Sequence, residues 1–331
     1  NHMNPSDDND INWQPTSDYK AAKKRQAKLN AIRSYFSDNE VVEVDTPILS
    51  TCAVSDINIE SIQTTTSLSP EQSYYLHTSP EFFMKRMLAS GYKDIFQICK
   101  VFRDDEVGKL HSPEFTMIEW YRLDFNLLKI INDTVAVISV VLDKHSNQLQ
   151  QPVEIITYQD SFLAQLNIDP LSISIEEIIS QMDIDDSLQQ QLGNNRNQYL
   201  DYLYATEITK KFDPNKITIV THYPASQAAL ARICPNDKTV AERFEIFIGN
   251  VEIANGYVEL TDFREARNRF NSDQSERHAQ NKTIRPLDQK FLAAMESGLP
   301  NCAGVALGFD RLLMISEYGD SIQSVQQFTI E

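Results

Sequence analysis

Four clusters of residues have the types and spacing to do chemistry. The first is VFRDDEVGKLHSPEFTMIEWY at positions 101–121. Arg103 closes an apolar run, Asp104 and Asp105 follow, Lys109 and His111 lie in a polar loop, and Phe115 opens the return run. An arginine fixed on a sheet can grip a phosphate with two parallel hydrogen bonds. A facing aromatic ring can stack on a base. Such a pair would hold a nucleotide without a P-loop, and no GxxxxGK[ST] pattern occurs. The second cluster is GVALGFDRLL at 304–313, where Gly304 and Gly308 permit close backbone approach and Arg311 projects from a first helical turn. The third is EIANGYVEL at 252–260. Glu252 and Glu259 are oddly spaced and would lie on opposite faces of a regular strand, unless Asn255-Gly256 forms a turn or bulge. On a common face they could hold Mg²⁺, which takes few protein carboxylates and the rest from substrate oxygens. The fourth is HTSPEFFMKR at 77–86, where Ser79 and Glu81 could receive an ammonium group. Each cluster also has a plainer reading: a solvated hairpin loop, an Asp310–Arg311 structural contact, surface glutamates, and simple helix capping.

These residues must be held by regular elements. A helix begins at Ser17 or Asp18, either able to cap it, and carries Leu29, Ile32 and Phe36 at helical spacing. VVEV is a strand leading to Thr46-Pro47, and Pro47 marks a strand end or edge. SYYLHTSPEFFMKRMLASG reads as strand, turn and helix, with Pro80 in the first turn and Gly91 as the stop. DIFQICKVFR and FTMIEWYRLD form an antiparallel hairpin around the loop bearing Lys109 and His111. Residues 127–145 are an apolar helix. ITIVTHYP returns to strand, and ERFEIFIGNVEIANGYVEL is two strands about Gly249-Asn250. A helix runs from Thr261 with Asp262 near its start, another spans DQKFLAAMESG, and CAGVALGFDRLLMISEYG runs from strand into helix. Antiparallel strands with helices before, between and after them define an α+β fold. Residues 146–215, with Gln and Asn clusters and helical patches, read as a helical insertion. Residues 1–16 read as a flexible start in which Asn1-His2-Met3 is a cloning remnant, leaving 17–331 as one catalytic domain.

Composition narrows the function. The 331 residues hold 47 acids against 30 bases, a net charge of −17, and are 41% apolar. That is apolar enough for a sizeable core, and too acidic for a generic phosphate-backbone binder. Four scattered cysteines without a CxxC pair support neither a disulfide framework nor a cysteine zinc site, and fit a reducing, cytoplasmic setting. His77, His222 and His278 are lone histidines, and neither HExxH nor GxSxG occurs. No apolar run reaches membrane-spanning length.

The order of the clusters carries more than any one of them. A helix and strand ending at Pro47, the FR-containing hairpin and the terminal GFDR helix resemble motifs one, two and three of the class II aminoacyl-tRNA synthetases. TSPEFFMKR, HSPEFTMIEWY, ANGYVELTD and GVALGFDRL are similar to the lysine branch, over about 18–145 and 217–320. Within it, the chain most resembles the paralogues that lysylate elongation factor P. Motif one begins almost at the start, leaving no room for the branch's anticodon-binding barrel. Ala306 stands where lysine synthetases usually have glycine, which fits use of (R)-β-lysine in place of lysine. FRDD replaces the usual FRNE, so Asp105 stands for a longer glutamate.

The resemblance implies a class II catalytic fold, an antiparallel sheet flanked by helices, that uses ATP and Mg²⁺. Arg103 would meet the α-phosphate. Asp105, with Asp104 beside it and the backbone near Ser112, would read adenine, with Phe115 stacked on it. His111 would lie near the β- and γ-phosphates, Arg311 on the γ-phosphate, and Ile253 and Gly308 beside the nucleotide. Glu252 and Glu259 would hold Mg²⁺. Ser79, Pro80, Glu81, Tyr121, Asn255, Glu259 and Ala306 would surround (R)-β-lysine or lysine. The motif one helix and Pro47 would form a homodimer contact. Arg103, Glu252, Glu259 and Arg311 would carry catalysis: adenylate formation, then transfer to a lysine ε-amine of elongation factor P. Two alternatives are a truncated synthetase charging another carrier and a catalytically inactive regulatory paralogue; the first four catalytic residues being present speaks against the latter.

Overall fold

The computed structural model describes residues 13–104 and 107–329. Among them, eight strands form one sheet in the order β1-β5-β6-β11-β10-β9-β8-β7. They are β1 (Val42–Glu43), β5 (Ile95–Phe102), β6 (Glu114–Leu123), β7 (Glu154–Thr157), β8 (Ile217–Thr221), β9 (Arg243–Ile248), β10 (Val251–Val258) and β11 (Cys302–Gly308). The two outer pairs, β1 with β5 and β7 with β8, run parallel, and every inner pair is antiparallel. β2 (Leu49–Ser50), β3 (Gln63–Thr66) and β4 (Ser69–Leu76) make a second, three-stranded sheet.

Period-two alternation gives the large sheet two different faces. Ile118 and Trp120 of β6, Val305 and Leu307 of β11, and Phe244 and Ile246 of β9 point into the main core. Onto that face pack α1 (Tyr19–Asp38) through Ile32 and Phe36, α3 (Leu127–Val141) through its Ile and Val residues, and α11 (Phe309–Ser316) through Leu312 and Leu313. Asp18 caps α1 by accepting from the Ala21 N–H, and Asn126 caps α3 by accepting from Lys129. Asp310, in the buried first turn of α11, joins these layers. It accepts from Arg25 of α1 at 2.6 Å and from the backbone N–H of Thr116 on β6 at 2.9 Å. The Asp310–Arg311 contact offered by the sequence is therefore replaced by an Asp310–Arg25 pair.

The opposite sheet face is left for other elements. α2 (Glu81–Ala89), α9 (Phe263–Ala279) and α10 (Gln289–Gly298) lie at one end, with Phe82, Phe270 and Phe291 packed together. α4 (Asn147–Gln150) still packs Leu149 against the main core, and at the other end of the free face residues 158–211 supply α5 (Tyr158–Leu166), α6 (Ile175–Met182), α7 (Asp186–Leu192) and α8 (Arg196–Leu203), followed by a π-helical turn, Tyr204–Ile208. This stretch has its own core, in which Tyr158, Phe162 and Leu203 meet Val220 and Phe247 of the sheet. It is mostly helical, but β7 just before it extends the large sheet as its edge, a strand too short and too polar at its start to be legible in sequence.

Candidate active site

A cavity of about 720 Å³ lies over the free face of β6, β11, β10 and β9. Residues 117, 119 and 121 of β6 line it, with 304, 306 and 308 of β11, and 255, 257 and 259 along β10. Glu252 joins them because β10 carries a bulge. The β9–β10 register shifts between Glu252 and Ala254, while Asn255 and Gly256 pair regularly with Glu245 and Phe244. The bulge thus sits at Ile253 and not at Asn255-Gly256. It turns Glu252 to the cavity face, where odd spacing alone would have excluded it.

One end of the cavity is built from strand ends and cations. Arg103 follows β5, and its guanidinium lies 5.3 Å from the centre of the Phe115 ring on the neighbouring strand. The backbone N–H of Arg103 donates to Pro113, closing the hairpin, and that of Asp104 donates to the carbonyl of Glu60. Arg311 donates from Nε to the Leu110 carbonyl at 3.0 Å and from Nη1 to the Glu252 carbonyl at 3.1 Å, so α11 pins both the hairpin loop and the bulge. Its guanidinium is also 4.0 Å from the Glu252 carboxylate, whose side chain is 43% exposed. Ser112, Phe115, His111, Ile253 and Gly308 complete this end. Pro80 and Asp104 do not line the cavity; Pro80 instead occupies the N-cap of α2. Asp105 lies outside the described residues.

The other end is a nest of buried carboxylates. Glu81 opens α2 at its positive end and has Ser79 just before it, whose Oγ accepts from the Glu81 N–H at 3.3 Å. Glu119 and Tyr121 share the cavity face of β6, and the Tyr121 hydroxyl donates to Glu119 at 2.6 Å. Tyr257 donates to Glu81 at 2.8 Å. Lys85, one turn after Glu81 and only 1% exposed, pairs with Glu81 at 2.6 Å and with Glu259 at 2.5 Å. Burial pulls the Lys85 ammonium down, but Glu259 and Glu81 outweigh it and hold it above its ordinary value. Glu119 has no such cation in contact. Burial above all, with the charge of Glu81, pushes its carboxyl up to about 8. Among the described residues of this nest, three carboxylates face one lysine. Gly304 sits between them because a Cβ there would strike the Tyr121 ring and the Glu259 carboxylate. Ala306 lies in register between Glu119 and Asn255.

Between the ends stand Arg243 and Glu245 of β9. Arg243 donates to Glu245 at 2.6 Å and to Asn255 at 3.2 Å, and Tyr223 donates to Glu245 at 2.7 Å. Burial first, and then the charge of Glu252, pushes the Glu245 carboxyl up to about 7. Glu252 therefore has Glu245 as its carboxylate neighbour. Glu259, which the sequence had paired with Glu252, is engaged by Lys85 instead. Glu119, Lys85, Arg243 and Glu245 were missed in sequence. Two of them had a signal: Glu119 is two residues from Tyr121 on one strand, and Lys85 is four from Glu81 on one helix.

The fold and this site define a class. Residues 11–331 match the family described as class II tRNA synthetases (D, K and N), and the chain belongs to that family. Three relatives narrow the comparison, all named elongation factor P--(R)-beta-lysine ligase. That of Haemophilus ducreyi is 41% identical over 325 residues, covering 97% of this chain and 97% of the relative. That of Avibacterium paragallinarum is 40% identical, covering 96% and 98%. That of Klebsiella pneumoniae (strain 342) is 39% identical, covering 96% and 98%.

Proposed function

We propose that this chain is an ATP-dependent ligase that activates (R)-β-lysine, or lysine, as its adenylate and transfers it to a lysine ε-amine of elongation factor P in the cytoplasm. One observation carries the substrate class: three carboxyls share one lysine in the nest, and burial holds those of Glu119 and Glu259 up to about 8. A buried carboxylate is costly without a partner. A diamino acid brings two ammonium groups, which supply the partners that let these carboxyls ionise in a buried place. The names of the three relatives support the acceptor.

In this reading Ser79, Glu81, Tyr121, Asn255, Glu259 and Ala306 hold the amino acid. Arg103, His111, Ser112, Phe115, Ile253, Gly308 and Arg311 hold ATP. The amino-acid carboxylate attacks the α-phosphorus in line and pyrophosphate leaves. Arg103 and Arg311 steady the charge, so catalysis is positioning and electrostatics and needs no enzyme nucleophile. Glu252, whose side chain is 43% exposed beside Arg311, would be the main protein donor to Mg²⁺, with Glu259 or Glu245 on the same cavity face as the second carboxylate and substrate oxygens as the rest. When bound, Mg²⁺ neutralises charge on the phosphates. Exposed Val42, Ile48 and Leu49 around Pro47 offer an apolar surface for a homodimer. Among the described residues no helix is long and apolar enough to cross a membrane.

The test is ATP–pyrophosphate exchange with each lysine isomer in the absence of tRNA, then mass spectrometry of elongation factor P after incubation with ATP and (R)-β-lysine. A mass gain of one β-lysyl group is expected; exchange without any gain would sink the acceptor assignment. Arg103→Ala and Arg311→Ala should each slow exchange more than tenfold, a loss of at least ~1.4 kcal/mol.

A further inference from the structure

The reading above uses the two ends of the cavity. It leaves Arg243, which stands between them, and the helical insertion without a role. Arg243 opens β9, lines the cavity and makes three directed contacts. Its Nη2 donates to Glu245 at 2.6 Å, its Nη1 to the Gln227 carbonyl at 2.6 Å, and its Nε to Oδ1 of Asn255 at 3.2 Å. The guanidinium also lies 4.6 Å from the centre of the Tyr223 ring. A planar fork tied on three sides, with its charge matched by Glu245, is a fixture of the wall and not a mobile cation.

The contact with Asn255 has a chemical consequence. An asparagine side chain offers one accepting oxygen and one NH₂ group that donates twice. Arginine only donates, so the oxygen must turn to Arg243. Asn255 lines the cavity, and the NH₂ is what it then offers there. In the function proposed above, the ammonium groups go to the nest of Glu81, Glu119 and Glu259. The carboxylate of the same amino acid has to face the nucleotide, and a carboxylate only accepts.

The insertion holds Arg243 by two routes. The first runs through Glu245, whose other oxygen accepts from the Tyr223 hydroxyl at 2.7 Å. The Tyr223 hydroxyl has one proton and gives it to Glu245, so the Tyr204 hydroxyl, 2.8 Å away, must donate to Tyr223. Tyr204 opens the π-helical turn that follows α8. The second route runs through the turn Ala225–Gln227, which supplies the carbonyl for Nη1. α8 grips that turn three times. Ser226 Oγ donates to Asn197 at 2.8 Å, Asn197 Nδ2 donates to the Ser226 carbonyl at 3.0 Å, and Gln227 Nε2 donates to Asp201 at 2.9 Å.

We propose that Arg243 is a positioning residue for adenylate formation: it fixes the Asn255 amide so that its NH₂ receives the attacking carboxylate, and the helical insertion serves to hold Arg243 in place. The inference rests on the function proposed above and adds to it the residue that orients one of its binding groups. An Asn255 free to turn over would set its oxygen against the carboxylate, a repulsive contact in place of a hydrogen bond. Arg243 itself makes no contact with the substrate in this arrangement and acts only through Asn255.

The test is ATP–pyrophosphate exchange with (R)-β-lysine in Arg243→Lys, Tyr223→Phe and Tyr204→Phe, each made in the unaltered chain and again beside Asn255→Ala. Arg243→Lys keeps a positive charge for Glu245 and loses the fork that reaches Asn255. It should lower kcat/KM for (R)-β-lysine about tenfold and leave the KM for ATP unchanged. Tyr223→Phe and Tyr204→Phe are near-isosteric and should each lower kcat/KM about two- to threefold. All three effects should vanish beside Asn255→Ala, because the group they position is gone. An Arg243→Lys effect of the same size beside Asn255→Ala would overturn the assignment, as would a KM for ATP that rises in step. So would Tyr223→Phe and Tyr204→Phe that leave kcat/KM unaltered. Should Arg243→Lys fail to fold, the cycles of the two tyrosines with Asn255 decide the matter alone. Absence of exchange in the unaltered protein would instead overturn the function on which the assignment rests.

Discussion

At the scale of single residues, the carboxylate nest makes two predictions. Ala306 sits between Glu119 and Asn255 on the cavity face, and in the proposed function its methyl group would narrow the space left for the amino acid. Ala306→Gly enlarges that space and should shift the exchange-rate ratio toward α-lysine; an unchanged ratio between the isomers would rule Ala306 out as the discriminator. The second concerns pH. Glu119 keeps its proton in the folded state up to about 8, whereas an ordinary glutamate releases it near 4.5. The native state then binds more protons than the unfolded chain across that window, so the ligand-free protein loses stability as pH rises from about 4.5 to about 8. Glu245, raised to about 7, acts with the same sign. A diamino acid favours the ionised carboxyls, so its stabilising effect should grow over the same window and its binding should release protons. Thermal midpoints with and without (R)-β-lysine at several pH values, and calorimetry in buffers of different ionisation enthalpy, measure both; Glu119→Gln should flatten the dependence. The resemblance to the lysine branch pointed to Glu81, Tyr121 and Glu259, and all three line one cavity. The partition of the glutamates among partners was not legible, because Lys85 lies 174 positions before its partner Glu259 and no local pattern relates them.

At the scale of elements, the hairpin that carries Arg103 does not stand alone. The carbonyl of Glu60 receives the Asp104 N–H at 3.0 Å, and the Glu60 carboxylate is gripped by Arg277 with two bonds at 2.9 and 3.0 Å and by Arg285 at 2.9 Å. Arg277 is wholly buried near the end of α9 and also donates to the carbonyls of Asp56 and Thr283. α9 thereby holds the segment that forms the rim of the cavity and supports the nucleotide end. Arg277→Met leaves the Glu60 carboxylate with one close partner fewer and should raise the KM for ATP about tenfold, with the KM for the amino acid little changed; Arg277→Lys should be intermediate. Steady-state kinetics in each substrate distinguish this from plain destabilisation, which would lower active enzyme without altering either KM. The helix boundaries at Asp18 and Asp288 were legible because each cap is a side-chain oxygen placed before an apolar repeat, whereas α9, expected from Thr261, begins after the Asp262 cap and is too polar to show such a repeat. The bulge at Ile253 was not, because it arises from pairing with β9 and from the Arg311 anchor on the Glu252 carbonyl.

At the scale of the whole molecule, the α+β class followed from the succession of antiparallel strand signals, and the order of strands did not. β11 is the last strand in the chain, and yet it lies between β6 and β10 at the middle of the large sheet. Its neighbours on either side are made long before it. During synthesis, β5 and β6 have no partner on their inner flank, and β8, β9 and β10 none on theirs, until Cys302–Gly308 leaves the ribosome. At ~5–20 residues per second that interval is on the order of ten seconds or more. Through all of it the edge of β6 stands open to wrong pairings, and from residue 258 onward that of β10 joins it. A fragment ending before residue 302 should therefore show no cooperative unfolding by circular dichroism and should aggregate, although it contains most of the core. Until Cys302–Gly308 is made the nascent chain should therefore depend on protection of its open edges, and the strand that lines the centre of the cavity is the same one that ends that dependence.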